Sequence, residues 1–136
     1  MLVGLFLFTP TYAFADAKDD LKNWDGVWKV TRAEKEGKVL PDEETKAMKV
    51  TVKEGKIIIK DSKDEDVATL KIDSTKNPAT VDFIPSDDEK ILAPGIYAFD
   101  GKTLKICWAR VGGVRPKEFA STMESETRLM VLTKEK

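Results

Sequence analysis

The stretch NWDGVWKV, Asn23 to Val30, decides the fold: two tryptophans stand four residues apart around an Asp-Gly pair, where a charged lead gives way to alternating residues. Gly26 permits backbone dihedrals that other residues avoid, and Trp28 shares a face with Val30 in a period of two. A strand that opens on glycine and at once turns an indole inward suits the narrow end of a small barrel, which needs a tight turn and a bulky plug. Trp24, ahead of the turn, packs a short helical lead onto that end.

Working outward, strand patterns recur about every ten residues: Val27 to Arg32, Met48 to Lys53, then KIIIK (56–60) across a Glu54-Gly55 turn, Val67 to Ile72, and Thr80 to Ile84. Ile96 to Phe99 follows a break at Pro94-Gly95; Leu104 to Trp108 follows an Asp100-Gly101 turn; Arg128 to Thr133 alternates less cleanly. Regular spacing of this kind predicts an all-β antiparallel sandwich or barrel. Helix is confined to one or two turns, at Lys18–Asn23 and at Pro41–Ala47, where Pro41 and the acids Asp42, Glu43 and Glu44 suit a first helical turn.

The chain of 136 residues, 41% hydrophobic and 35% charged, is one domain's worth. Its 23 basic and 24 acidic residues interleave, so no basic stripe points to nucleic acid. Residues 1–17 hold an apolar run, Leu2 to Phe8, a Thr9-Pro10 break and small alternating residues. They read as a secretory signal peptide cleaved after Ala15 or Ala17, leaving 18–136 as the domain and implying an exported protein, periplasmic or extracellular. Seven apolar residues are too few for a stable membrane span.

The chemistry that is excluded is as informative. With no histidine, Ser-His and Cys-His nucleophile pairs cannot form, and with one cysteine, Cys107, there is no internal disulfide. An enzyme would have to work with carboxylates such as Asp82 or Glu118 beside Arg115 or Lys117, and their spacing singles out none of them; the expectation is no enzyme, no cofactor and no metal. DSKDED (61–66) lacks the central glycine and distal glutamate of a calcium loop and reads as a solvated hairpin tip, as does SDDEK (86–90).

Gly26-Val27-Trp28 resembles the G-x-W element that opens the first strand of lipocalins, in which a basic side chain from the last strand lies over the tryptophan; Lys134 is the candidate here, Arg128 the alternative. More broadly, the ordered segments GVWKV, GKVLPDEE, KVTVKEGKIIIKD, KIDSTKNPATVDF, GIYAFDGKTLKIC, RPKEFAS and LMVLTKEK are similar to a family of small exported lipocalin-like domains of unknown function, plentiful in planctomycete-type bacteria. The resemblance implies an eight-stranded up-and-down (calycin-like) barrel and implies no activity.

Such a barrel either fills with side chains or holds one small ligand. The inward set includes Trp28, Val50, Leu70, Val81 and Phe83, and on the last three strands Ile96, Leu104, Ile106, Trp108, Leu129 and Val131, whose bulk and a short wall favour a mostly filled interior. A shallow pocket is expected where Tyr97, Trp108 and Phe119 meet the long segment 109–126. There Arg115 would meet an anion and Phe119 would close the mouth, unless both serve structure. The functional expectation is a barrel that binds a small apolar molecule; the alternative is a non-catalytic structural or protein-interaction module with a filled core.

Overall fold

The computed structural model describes residues 17–124 and 126–135; the expected leader, apart from Ala17, lies outside the described residues. A helix, α1 (Ala17–Trp24), leads into β1 (Gly26–Lys35). A two-residue strand β2 (Lys38–Val39) and a short helix α2 (Asp42–Lys46) follow, and then seven strands: β3 (Lys49–Lys53), β4 (Lys56–Lys60), β5 (Glu65–Asp73), β6 (Ala79–Ile84), β7 (Ala93–Asp100), β8 (Thr103–Trp108) and β9 (Arg128–Lys134). Each strand from β3 to β9 pairs antiparallel with the next, and β1 pairs with both β3 and β9, which closes an eight-stranded up-and-down barrel; β2 is a ribbon on the upper half of β1. The architecture is the one the G-x-W resemblance implied, and all eight expected strands are present.

Registers give the barrel two distinct ends. Gly26 pairs with Val52, Trp28 with Lys134 and Asp73 with Thr80 at one end, while Lys35 pairs with Arg128 and Lys60 with Glu65 at the other. The first end is closed by aromatics. Trp24 and Trp28 are fully buried, Trp24 meets Tyr97 edge to face at 5.1 Å, and Phe99 lies 6.1 Å from Trp24 and 6.4 Å from Trp28. The Trp28 indole N–H donates to the Trp24 carbonyl at 2.8 Å, tying plug to lead helix. Gly26 has φ +137°, and a Cβ there would sit 3.1 Å from Lys134 Cε, so the glycine serves both dihedral and close approach. Lys134 Nζ stands 5.2 Å from the Trp28 ring centroid; of the two candidate cations it is the one over the tryptophan, and Arg128 is at the far end.

Four sequence expectations are corrected. β7 runs through Pro94 rather than starting after it: Pro94 stays in register opposite Asp82, and its carbonyl accepts the Ala109 N–H at 2.9 Å. The inward phase of β7 is Tyr97 and Phe99, not Ile96, and that of β9 is Met130 and Leu132, not Leu129 and Val131. The alternation expected over Val27 to Arg32 is broken on β1 by a bulge at Thr31, which shifts the register so that Ala33 and Lys35 continue the inward face of Trp28 and Val30. The misassigned Ile96 and Leu129 are buried, but on the outside of the wall: with Cys107 and Phe119 they form a second, smaller cluster beneath the segment 109–127.

Candidate functional site

The long segment between β8 and β9 is a strap over the outer wall. Phe119 packs on Ile96, Cys107 and Leu129, and Lys105 Nζ lies 5.4 Å from its ring centroid. Ser121 Oγ accepts the Gly37 N–H at 2.8 Å and donates to the Thr127 carbonyl at 2.9 Å, fastening the strap to the β1–β2 turn. Arg115 is its main pin. One guanidinium nitrogen donates to the Gly95 carbonyl at 2.9 Å and the Val81 carbonyl at 3.3 Å, and the other reaches Asp82 Oδ1 at 2.7 Å. These contacts tie the strap to β6 and to the start of β7. Gly95 lets the layers close: a Cβ there would be 2.8 Å from the Cys107 carbonyl oxygen and 2.9 Å from Trp108 Cβ.

Cys107 is fully buried, and its Sγ donates to the Ala120 carbonyl at 3.4 Å. Burial pushes the thiol above its ordinary pKa, outweighing the opposite effect of its hydrogen-bond partners. At the closed end the Tyr97 hydroxyl donates to Asp20 Oδ2 at 2.5 Å, and burial first, then the Asp20 carboxylate, raise the phenol's pKa.

The four residues expected to form one ligand site are therefore separated. Tyr97 belongs to the aromatic plug and holds α1; Arg115 and Phe119 belong to the strap outside the wall; Trp108 alone faces the interior toward the mouth. Of the carboxylates an enzyme would have drawn on, Asp82 is engaged by Arg115. DSKDED is a hairpin tip: Asp61 Oδ1 accepts the N–H groups of Lys63 and Asp64 at 2.8 and 2.6 Å, which hold its carboxyl below the usual range, the Asp64 contact most. Among the described residues no helix is long and apolar enough to cross a membrane.

Two of the concavities bear on ligand binding. The larger, about 640 Å³, is an open groove along the strap, lined by small and charged residues such as Gly112, Gly113, Lys117 and Glu118. The smaller, about 310 Å³, is inside the barrel in its mouth half. Its floor and walls are apolar, with Ala33, Ile57, Phe83, Ile106, Trp108 and Met130 from five different strands, and Phe83 meets Trp108 edge to face at 5.7 Å. The barrel is thus filled at the plug and hollow at the mouth, where small residues, Ala33, Ala68 and Ala93, replace the bulk that alternation alone assigned to the interior. A mainly apolar hollow, open at the mouth and edged there by a few polar groups, is the usual form of a small-molecule site, and its size is at the lower end of the roughly 300–1,000 Å³ such sites span.

Compared with known proteins, the chain matches no family model, and no curated protein or solved structure shows significant similarity to it.

Proposed function

We propose that this protein is a non-catalytic carrier that holds one small apolar molecule in the mouth half of its barrel. The observation that carries the reading is the cavity of about 310 Å³ walled by Ile57, Phe83, Ile106, Trp108 and Met130. Roughly ten waters at about 30 Å³ each would fill it. A methylene takes about the same space, so the best-fitting occupant has about ten carbons. Ordering that many waters against apolar walls is unfavourable, and replacing them with hydrocarbon contributes about 0.8 kcal/mol per methylene buried. A filled-core interaction module would share the aromatic plug but would have no reason to place alanines around an open mouth.

The same reading takes the protein to be exported, on the strength of residues 1–17, and to belong with the small lipocalin-like domains its ordered segments resemble. Native mass spectrometry of protein purified under mild conditions, followed by solvent extraction, tests the carrier role. The expected result is a one-to-one adduct released as an apolar compound of about that size, or capture of added 1-decanol at one-to-one. Protein that stays bare in the presence of decanol and its homologues refutes the role. The mass of the mature amino terminus, compared between cell and medium fractions, tests the export.

A further inference from the structure

The lip of the cavity is electrostatically divided, and the division follows from the strand registers. Lys35 and Arg128 are directly opposite each other on β1 and β9, and Arg128 is in turn opposite Trp108 on β8. Both cations line the cavity, and among the described residues neither makes an ion pair or side-chain hydrogen bond. Like charges facing each other across a strand pair destabilise it, so an unpaired Lys-Arg couple at the rim of an apolar hollow is a cost that an anion would relieve. It is the bulge at Thr31 that brings Lys35 to the lip; without it the inward phase would present Glu34 there.

The acids at the rim do not neutralise this pair. Glu34 also borders the cavity, but its carboxylate is engaged by Arg32 at 2.8 Å, and Asp61 accepts two backbone N–H groups of its own hairpin. Asp66 is on β5, across the barrel from β1 and β9 in strand order. A monoanionic headgroup would therefore seat on the β1–β9 side, away from Asp66, with its tail directed between Ala33, Met130 and Ile106 toward Ile57.

We propose that the cavity takes an anion-headed amphiphile, a medium-chain carboxylate of about ten carbons whose carboxylate is held between Lys35 and Arg128. The proposal rests on the carrier reading, and calorimetric titration with decanoate, 1-decanol and acetate separates the two. The expected result is decanoate at least tenfold tighter than decanol, acetate without measurable binding, and a preference that weakens as salt rises. In the double variant Lys35→Gln/Arg128→Gln, whose exposed side chains leave the core untouched, the decanoate advantage should vanish while decanol binding is unchanged; Asp66→Asn should tighten decanoate only. Decanol binding as tightly as decanoate, or a preference that survives the double substitution, overturns the headgroup site and leaves the carrier reading standing. Acetate binding as tightly as decanoate overturns the amphiphile in favour of a bare anion site. Failure of every amphiphile to bind overturns both.

Discussion

Replacing Trp28 with alanine removes the plug around which the closed end is built. The side chain is 1% exposed, and its truncation opens a void between Trp24, Phe99 and the first turn of β1, which strand pairing on both sides prevents from collapsing. Large-to-small changes of this kind cost about 3–5 kcal/mol through lost transfer energy and the residual cavity. The indole N–H bond to the Trp24 carbonyl goes as well, contributing about 1 kcal/mol, and the cation over the ring about 0.5–1 kcal/mol at this partly exposed site. The sum, about 5 kcal/mol, is a large part of the 5–15 kcal/mol a domain of this size has in total. Thermal unfolding followed by near- and far-ultraviolet circular dichroism should show a fall in Tm of about 15–25 °C, at roughly 3–5 °C per kcal/mol. Lys134→Gln, which removes only the cation, should shift Tm by a few degrees. A Trp28→Ala protein within about 3 °C of the parent would refute the plugged-barrel account, because Trp28 is the member of the aromatic cluster that β1 itself carries into the closed end.

Other perturbations probe the strap, the buried thiol and the cavity wall. Arg115→Ala leaves the Val81 and Gly95 carbonyls and the Asp82 carboxylate without their donor and should lower stability by about 1–3 kcal/mol in urea unfolding, without weakening ligand binding in the barrel. Gly95→Ala forces a methyl to 2.8 Å from a carbonyl oxygen on β8 and should cost at least as much, about 1–3 kcal/mol, again by urea unfolding. Cys107 should resist iodoacetamide in the native protein and react once the chain unfolds. Because its folded pKa is raised, its contribution to stability is complete below the ordinary thiol pKa of about 8.5 and is lost as pH rises beyond it, the unfolded chain giving up its proton first. Urea midpoints of the parent that fall between pH 8 and 10, against a smaller fall for Cys107→Ala, check that sign. Ala68→Leu adds three carbons to the cavity wall and should raise Tm while abolishing decanol binding, a combination that a filled interior would not permit.

The eight barrel strands, the hairpin turns and the glycine start were legible in the sequence, because each rests on a local rule, period two or a turn residue; the cation over Trp28 came only with the lipocalin resemblance, and the structure decides for Lys134 over Arg128. The phase of β7 and β9 was not, and the strap explains why. It buries the outer face of both strands with Phe119, so Ile96 and Tyr97, or Leu129 and Met130, are apolar on both sides, and alternation no longer marks the inside. The bulge at Thr31 is a non-local feature with no glycine to announce it, so Lys35 gave no sign of reaching the lip. The expected ligand site failed for a related reason. Arg115, Pro116 and Phe119 look the same in sequence whether the segment crosses the mouth or the wall, and only the partners of Arg115, two wall carbonyls and Asp82, decide it. The alanines that hollow the mouth are individually unremarked residues whose meaning lies in their common height in the barrel.

The most direct test of the account is methyl-resolved NMR of the labelled protein titrated with 1-decanol. The methyl signals of Ile57, Ala68, Ala93, Ile106 and Met130, which line the cavity, should shift together and saturate at one equivalent, while Ile96 and Leu132, beneath the strap and toward the plug, stay put. Shifts confined to the strap groove around Val114 and Ala120, or none at all, would contradict a ligand-holding interior.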